Sequence, residues 1–235
     1  FIHKIWDPIF MQDKIIIDDA KYFIDYHSGK IHPSVVLENG DNIFIGNHSE
    51  IRPGVILDAS NGPIILAENV FIDIGALIQG PVYIGHSSII NPGTKLRKNI
   101  TLGPMCKIGG ELEDVIVQGY SNKQHDGFLG HSYIGEWVNL GANTNNSDLK
   151  NNYSSIRIKL GADEIETDHQ LLGSIIGDYV RTGISTMLNT GTVIGLGANI
   201  FGSGFQSQFV SSFQWGPEGK TELDKFFITI ENMKK

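Results

Sequence analysis

Residues 66–108 read LAENVF-IDIGAL-IQGPVY-IGHSSI-INPGTK-LRKNIT-LGPMCK-I, and an aliphatic residue begins each group of six. An α-helix with about 3.6 residues per turn would distribute these positions around its axis, and a strand alternates with a period of two. A period of six instead indicates a backbone that turns a corner every six residues, so that three short strands close a coil of about 18 residues. Each inward side chain then stacks on the equivalent one in the next coil, which predicts a solenoid with an aliphatic core.

The six-residue interval recurs on both sides of this stretch. The predicted inward positions, aliphatic apart from one threonine, are Ile45, Ile51, Leu57, Leu66, Ile72, Ile78, Ile84, Ile90, Leu96, Leu102, Ile108, Ile134, Leu140, Ile176, Thr182, Leu188, Ile194 and Ile200. A glycine directly follows many of them, which is typical of a tight corner. We therefore predict an all-β fold, a left-handed parallel β-helix of hexapeptide repeats with roughly eight coils.

The repeat divides the chain into three predicted regions. It occupies residues 31–204 and lapses at 111–132 and 145–172, and we interpret both lapses as insertions. Residues 1–30 mix aromatic and aliphatic residues at helical spacing, so we expect a partly helical connector that packs on the first coil and follows another domain. Residues 205–235 are expected to form a cap and a short C-terminal helix.

The C-terminal region contains the signals for both of these elements. Four aromatic side chains that can close the open end of the solenoid are Phe205, Phe209, Phe213 and Trp215. Such an end would otherwise present unpaired strand edges. Thr221 is a candidate helix N-cap with Asp224 three residues later, and apolar residues follow at helical spacing.

Composition disfavours several classes of protein. The chain has 18 Lys and Arg against 26 Asp and Glu, a net charge of −8. A nucleic-acid partner is not expected, because phosphate neutralisation requires a basic surface. No apolar run approaches the roughly 20 residues of a membrane span, so we expect no membrane partner and a cytoplasmic location. Cys106 is the only cysteine, which excludes an internal disulfide and favours a partly buried structural thiol.

The segment around His125 departs most sharply from the repeat. His125 lies in a polar, glycine-rich stretch between Gly119 and Gly127, beside Asp126. A histidine there is available as a base near neutral pH. A solvated loop histidine fits the same residues equally well, and spacing alone does not choose between the two interpretations.

Two longer stretches resemble a known family. Residues 122–144 contain Asn-Lys-Gln-His, Phe-Leu-Gly, Ile-Gly and Asn-Leu-Gly-Ala-Asn-Thr. This pattern resembles the hexapeptide-repeat acyltransferase domain of GlmU-like bifunctional sugar-1-phosphate nucleotidylyltransferase/acetyltransferases. Residues 175–183, Ile-Ile-Gly-Asp-Tyr-Val-Arg-Thr-Gly, match a later motif of the same family. The resemblance covers about residues 60–215 and is closest to uncharacterised bacterial proteins related to sugar nucleotidyltransferases.

The resemblance implies an acyl transfer from acetyl-CoA to a sugar or sugar nucleotide. His125 would act as general base, and Asn139 would position the sugar or the base. A backbone N–H at the Gly141-Ala142 corner, assigned to Ala142, would stabilise the oxyanion. The residues expected to contact CoA are Gly141, Ala142, Gly177, Thr182, Gly183, Gly195 and Ala198. The family also implies a homotrimer in which subunits share the site.

The positions that align with the family's sugar-phosphate contacts carry different residue types. The candidate substrate-binding residues are Asn91, Glu113, Lys123, Phe128 and Asp148. Asn91 and Glu113 stand where the family has cations, and a phosphate requires cationic or hydroxyl donors. The departures indicate either a different acceptor or a degenerate acyltransferase site.

Three functional classes follow from these observations. The first is the acetyl-CoA-dependent acyltransferase. The second is a non-catalytic trimerisation or regulatory module of a sugar nucleotidylyltransferase, whose own Gly-rich phosphate loop is not found in this sequence. The third is a metal-dependent hydratase on the same solenoid, which requires three histidine ligands. Because His125 and His131 are six residues apart instead of five, we predict no metal and favour the acyltransferase.

Overall fold

Parallel strands wind along the chain as a left-handed β-helix of about ten turns. The computed structural model describes residues 1–26 and 28–233. Each coil contributes one strand to each of three faces, which together enclose a three-sided prism. The first corner joins the first face to the second, the second corner joins the second face to the third, and the third corner joins the third face to the first. The fold class predicted from the six-residue period is confirmed, although the coils outnumber the roughly eight that were expected.

The strands of the first face are followed along the chain by those of the second and then of the third. The first face contains Ile43–Ile45, Ile64–Leu66, Val82–Ile84, Ile100–Leu102, Ser174–Ile176, Thr192–Ile194 and Phe209–Val210. The second contains Lys30–Ile31, Glu50–Ile51, Phe71–Ile72, Ile89–Ile90, Lys107–Ile108, Asn122–Lys123, Arg181–Thr182, Asn199–Ile200, Gln214–Trp215 and Gly219–Lys220. The third contains Val36–Glu38, Ile56–Asp58, Leu77–Gln79, Lys95–Leu96, Asn145–Asn146 and Met187–Leu188. Two longer strands, Glu111–Gly119 and Phe128–Glu136, run from the third face around a corner onto the first.

Few elements lie outside the coils. Two α-helices, α1 over Asp7–Asp19 and α2 over Leu223–Met233, stand near the chain ends. Short 3₁₀ turns cover Ala20–Tyr22 and Gly40–Asn42, and an antiparallel hairpin joins Arg157–Leu160 to Asp163–Glu166. Neither helix within the described ranges has the length and apolar character that crossing a membrane requires.

The predicted inward residues stack in columns inside the prism. Leu66 pairs with Ile84, and Ile84 pairs with Leu102, so the three lie above one another as the period predicts. The first column continues through Val117, Ile134, Ile176, Ile194 and Val210. The second column runs Ile51, Ile72, Ile90, Ile108, Lys123, Leu140, Thr182 and Ile200. The third runs Leu57, Ile78, Leu96, Leu112, Leu129, Asn146 and Leu188.

The prediction of an insertion at 111–132 is wrong, because the coil is continuous there. Leu112 pairs with Leu96 and Leu129, and Val117 pairs with Leu102 and Ile134. The two long strands turn the corner with fewer residues than the other coils use, so the period shortens while the stacking is kept. The lapse after residue 146 does leave the coil. Its hairpin packs outside the prism, and the chain returns at Ser174.

Helix α1 covers the outer surface of the first face, which is unusually apolar for a solvent-facing side. Ile16 packs against Phe44 and Ile65, and Ile9 belongs to a cluster with Ile158 of the hairpin. The connector is therefore helical, as expected. It packs on the first coil as predicted, where Phe23 and Tyr26 lie against Phe44 and the Ile45 N–H donates to the Tyr26 carbonyl at 2.7 Å. Helix α1 also extends over several middle coils, because that apolar surface continues along the solenoid.

Aromatic residues at the first corner lead to the C-terminal helix. Tyr120 stacks on Trp137 with ring centroids 4.9 Å apart, and Trp137 lies parallel to Tyr179 at 6.4 Å. Gly197 follows at the same corner, where an added Cβ would come within 2.9 Å of the Phe226 ring. The missing side chain thus admits Phe226, the buried residue of α2, which meets Tyr179 edge-on at 5.6 Å.

Cys106 is fully buried in the solenoid core. Its backbone N–H donates to Ser88 Oγ at 3.0 Å, and burial raises the pKa of its thiol to about 11. A protonated, enclosed thiol is a poor nucleophile. Cys106 is therefore structural, as the sequence indicated.

Truncation of a column residue tests the stacking. Leu102→Ala removes buried methyl groups from a side chain with no exposed surface, which should lower the free energy of unfolding by about 2–5 kcal/mol. Ile184→Ala, at a side chain that is 79% exposed, is the matched control and should change it by less than about 0.5 kcal/mol. Denaturant titrations measure both values, and equal effects would contradict the inward assignment.

Candidate active site

His125 lies at the second corner, where the second face turns into the third. The Asn143 N–H donates to the Asp126 carbonyl at 2.9 Å, which sets the His125 corner against the Ala142 corner in the next coil. Adjacent coils are separated by about 4.8 Å. His125 is exposed, and its imidazole forms no hydrogen bond or ion pair with any residue that the structure describes. The ring is therefore free to meet a ligand.

Asn91 reaches this corner from two coils away. Its side-chain amide donates to the Gln124 carbonyl at 2.8 Å. The intervening residue is Gly109, where a Cβ would collide with the same carbonyl. The structure thus brings Asn91 to the backbone beside His125, where its amide is engaged by the protein.

Lys123 cannot bind substrate as predicted, because it points into the prism. Its side chain is only 3% exposed and stands in the second column between Ile108 and Leu140. The ammonium donates to the carbonyls of His125 at 2.8 Å and Gly109 at 3.3 Å. Burial lowers the pKa of Lys123 to about 8, while the charge of Asp126 opposes this shift.

The Ala142 N–H is an available donor at this corner. Among the described residues it has no hydrogen-bond acceptor, while the Ala142 carbonyl accepts from Ser185. The preceding N–H, of Gly141, donates to Thr182 Oγ1 at 2.9 Å. A free backbone N–H on a rigid corner can stabilise a developing oxyanion.

Asn139 and Phe128 flank the corner on its two sides. Asn139 is exposed on the outer surface of the second face, between Asn122 and Arg181. Phe128 begins the third face, its N–H donating to Asn145 Oδ1 at 2.8 Å. The Phe128 ring bends over Gly130, where a Cβ would stand 2.6 Å from it. Both residues border the His125 corner.

Glu113 lies at the third corner, on the far side of the third face from His125. Its carboxylate pairs with Arg97 at 3.0 Å and Lys98 at 3.8 Å, and it lines a cavity of about 270 Å³ with them. Glu113 is therefore not part of the His125 corner, as the sequence suggested it would be, and these cations neutralise its carboxylate.

Asp148 belongs to a polar cluster that sequence reasoning missed. His131 is 9% exposed, and its Nδ1 lies 2.8 Å from Asp148 Oδ2. The other ring nitrogen lies 3.5 Å from Asp114, which accepts a hydrogen bond from Asn99 at 2.6 Å. The one-coil spacing of Asp114 and His131 was a usable signal. The cluster engages Asp148 at the third corner, so its predicted contact with substrate is not supported.

The predicted CoA-binding residues do not form one surface. Gly141 and Gly183 are stacked at the second corner, whereas Gly177 and Gly195 lie at the first. Added Cβ atoms would stand 2.6 Å from the Gly183 carbonyl at Gly141 and 2.5 Å from Ser212 N at Gly195. Coil spacing therefore explains these glycines without a ligand.

Two further cofactor predictions fall on inward side chains. Ala198 has no exposed surface and is part of the aliphatic core. Thr182 is also buried, with its hydroxyl 2.8 Å from that of Thr144. Neither side chain can contact CoA as predicted. Among residues 1–26 and 28–233, no group of three His, Cys, Asp or Glu side chains is placed to hold a metal ion.

Sequence comparisons place the chain beside bifunctional enzymes. It is 36% identical over 143 residues to a bifunctional sugar-1-phosphate nucleotidylyltransferase/acetyltransferase from Sulfurisphaera tokodaii, covering 60% of this chain and 35% of the relative. The bifunctional protein GlmU from Corynebacterium glutamicum is 30% identical over 194 residues, covering 78% of this chain and 34% of the relative. The chain thus spans about a third of the length of these relatives. No family model matches it.

Comparison of the fold with solved structures also found matches. An Arabidopsis UDP-N-acetylglucosamine acyltransferase is 15% identical with a TM-score of 0.33, covering 89% of this chain and 79% of that chain. An N-acyltransferase from Bacillus cereus, in complex with dTDP and 3-hydroxybutyryl-CoA, is 12% identical with a TM-score of 0.28, covering 92% and 94%.

The buried ammonium of Lys123 predicts a pH-dependent stability. Between the folded pKa of about 8 and the ordinary value of 10.5, the unfolded chain binds more protons, so stability rises with pH in this window. Relative to Lys123→Met, the wild type should gain up to about 3 kcal/mol of unfolding free energy from pH 8 to 10.5. Denaturant titrations across this range measure the difference.

All other titratable groups are common to the wild type and Lys123→Met, so their contribution to the pH dependence of stability cancels in the difference. Lys107→Met, at an exposed lysine on the neighbouring strand, is the control and should follow the wild type at each pH. A constant difference between wild type and Lys123→Met would show that the lysine titrates alike in both states.

Proposed function

Because this chain is a homologue of bifunctional sugar-1-phosphate nucleotidylyltransferase/acetyltransferases, we propose that it is an acyl-CoA-dependent acyltransferase acting on a sugar or sugar nucleotide. The observation that carries the proposal is the second corner. It presents the unpaired imidazole of His125 and the free N–H of Ala142 in adjacent coils. A base beside a fixed oxyanion donor is what acyl transfer from a thioester requires.

The proposed reaction uses few groups of the protein. The acceptor's amine or hydroxyl attacks the thioester carbonyl, and His125 removes its proton as the new bond forms. The Ala142 N–H stabilises the negative charge that develops on the carbonyl oxygen. The carbon–sulfur bond then breaks, and His125 returns the proton to the departing thiolate. Acetyl-CoA supplies the acyl group in this scheme, in keeping with the acetyltransferase activity for which the Sulfurisphaera tokodaii relative is named.

Residues at the second corner would hold the reactants. Asn139 borders the corner on the second face and Phe128 on the third, where an amide and an apolar ring suit a sugar. Gly141 and Gly183 have no side chains beside Ala142, which leaves room for an extended acyl donor along the corner. The exposure of His125 and Asn139 favours a homotrimer in which a neighbouring subunit closes the site.

The charges around the corner favour an acceptor without a phosphate at the contact position. Lys123 is buried, while Arg97 and Lys98 pair with Glu113 at another corner. Anchoring a phosphate takes charge-assisted donors. Within the described part of the chain, we therefore assign the corner to a neutral or amino sugar unit.

A non-catalytic trimerisation or regulatory module is the second candidate. The specific observation in its favour is that four of the positions expected to bind substrate are engaged by the protein itself: Asn91, Glu113, Lys123 and Asp148. A scaffold needs the prism and does not need a vacant corner.

Calorimetric titration with acetyl-CoA and with CoA separates the two candidates. The acyltransferase should bind them with a Kd in the micromolar range, about −8 kcal/mol. Ile184→Trp, which enlarges an exposed side chain at the second corner beside Gly183, should weaken binding at least about tenfold. Absence of heat at millimolar ligand would leave the scaffold.

Replacement of the proposed base tests the mechanism. His125→Ala should lower kcat at least about 100-fold toward any amino sugar that is acetylated, with an unchanged unfolding midpoint because the ring is exposed. His86→Ala, at an exposed histidine on the first corner, should retain full turnover. Equal activity of the two variants would remove His125 from the mechanism.

A further inference from the structure

Lys123 occupies a position where every physical consideration favours an aliphatic residue. Its neighbours in the second column are Ile108 and Leu140. Transfer of an ammonium into such surroundings is costly unless it is paired. No carboxylate lies within ion-pair distance of Lys123 in the described part of the chain. Packing alone does not explain this residue.

The contacts of the ammonium are both at the second corner. Nζ donates to the carbonyl of His125 at 2.8 Å and to that of Gly109, one coil earlier, at 3.3 Å. Gly110 leaves space for the group, since a Cβ there would stand 2.9 Å from Nζ. The side chain therefore braces the corner from inside the prism.

Asn91 braces the same corner from outside. Its amide donates to the Gln124 carbonyl at 2.8 Å. The Gln124 carbonyl belongs to the peptide unit before the His125 Cα, and the His125 carbonyl to the unit after it. With both units held, the backbone torsions of His125 are fixed, and with them the direction of its Cα–Cβ bond.

We propose that Lys123 and Asn91 are positioning residues that together aim the His125 imidazole. This inference deepens the proposed function and rests on it for the role of His125. The clamp, meaning these two side chains and the carbonyls of residues 124 and 125, converts an exposed corner into a rigid support. A base held in one direction meets the acceptor without an entropic cost at each turnover.

Amide hydrogen exchange tests the clamp without any assay of turnover. Three amides donate to carbonyls of this corner, those of Gly109, Glu111 and Asn143. In Lys123→Met their exchange should accelerate at least tenfold, while strand 115–117 keeps its wild-type rate. Asn91→Ala should accelerate the same three amides, and because its side chain lies outside the prism, that variant reports even if Lys123→Met fails to fold. Lys107→Met is the matched control and should leave all rates unchanged.

The outcomes separate local positioning from general stability. Equal acceleration at these three amides and in strand 115–117 would show that Lys123 supports the whole solenoid, and the proposal would be wrong. Wild-type rates at the amides of Gly109, Glu111 and Asn143 in both clamp variants would also overturn it.

Kinetics distinguish this proposal from the proposed function. Where acyl transfer is detected, Lys123→Met and Asn91→Ala should lower kcat at least tenfold and leave KM for the acyl donor within twofold. A rise in KM with unchanged kcat would make these residues part of donor binding, against the proposal. Local acceleration of exchange without any acyl transfer in the wild type would sink the proposed function while the clamp stands.

Discussion

The hydrogen bonding between successive coils is the constraint on which this structure depends. Parallel strands about 4.8 Å apart place each inward side chain against the equivalent one in the next coil. The same spacing brings the corners so close that side chains are excluded at some of them. At Gly141 a Cβ would stand 2.6 Å from the Gly183 carbonyl, and at Gly103 and Gly109 it would collide with the backbone of the next coil. The aliphatic columns and the glycines at the corners therefore both follow from the spacing between successive coils.

That distance explains which parts of the fold follow from the sequence. Leu66, Ile84 and Leu102 stack as the period predicts, since a fixed number of residues per face leaves no other register. The prediction fails over 111–132, because the step from Ile108 to Leu112 takes four residues and the step from Leu112 to Val117 takes five, so that counting by sixes loses the register. The inward position of Lys123 is hidden for the same reason. The corner glycines were assigned to CoA from the resemblance. Close approach of the backbone in neighbouring coils requires glycine at these positions, as close approach of a ligand would.

The candidate site divides in a similar way. His125, Asn91 and Ala142 were identified from a resemblance, and they meet because positions in successive coils share a corner. Glu113 and Asp148 were assigned to the same place, yet both lie at the third corner, where Arg97 and His131 engage them. Alignment gives the coil on which a residue stands. The ion pairs it forms depend on partners from other coils, which no local pattern contains.

The polar residues of the core indicate where the solenoid departs from simple stacking. Three inward positions that could hold aliphatic side chains carry Lys123, Asn146 and Thr182. Each bonds to backbone in the coils around His125: Lys123 to the His125 carbonyl, Thr182 to the Gly141 N–H, and Asn146 to Gly130. Buried polar groups require such partners and give up hydrocarbon contact to have them. The coils before Lys123 have aliphatic residues at all the corresponding column positions, and their buried polar side chains, Ser49, Ser88 and Thr94, bond to backbone from outside the three columns. Polar residues enter the columns themselves only from Lys123 onward in the described part of the chain. A scaffold that only had to stack would have no reason to change its core at this point, and this favours a corner that is built to act.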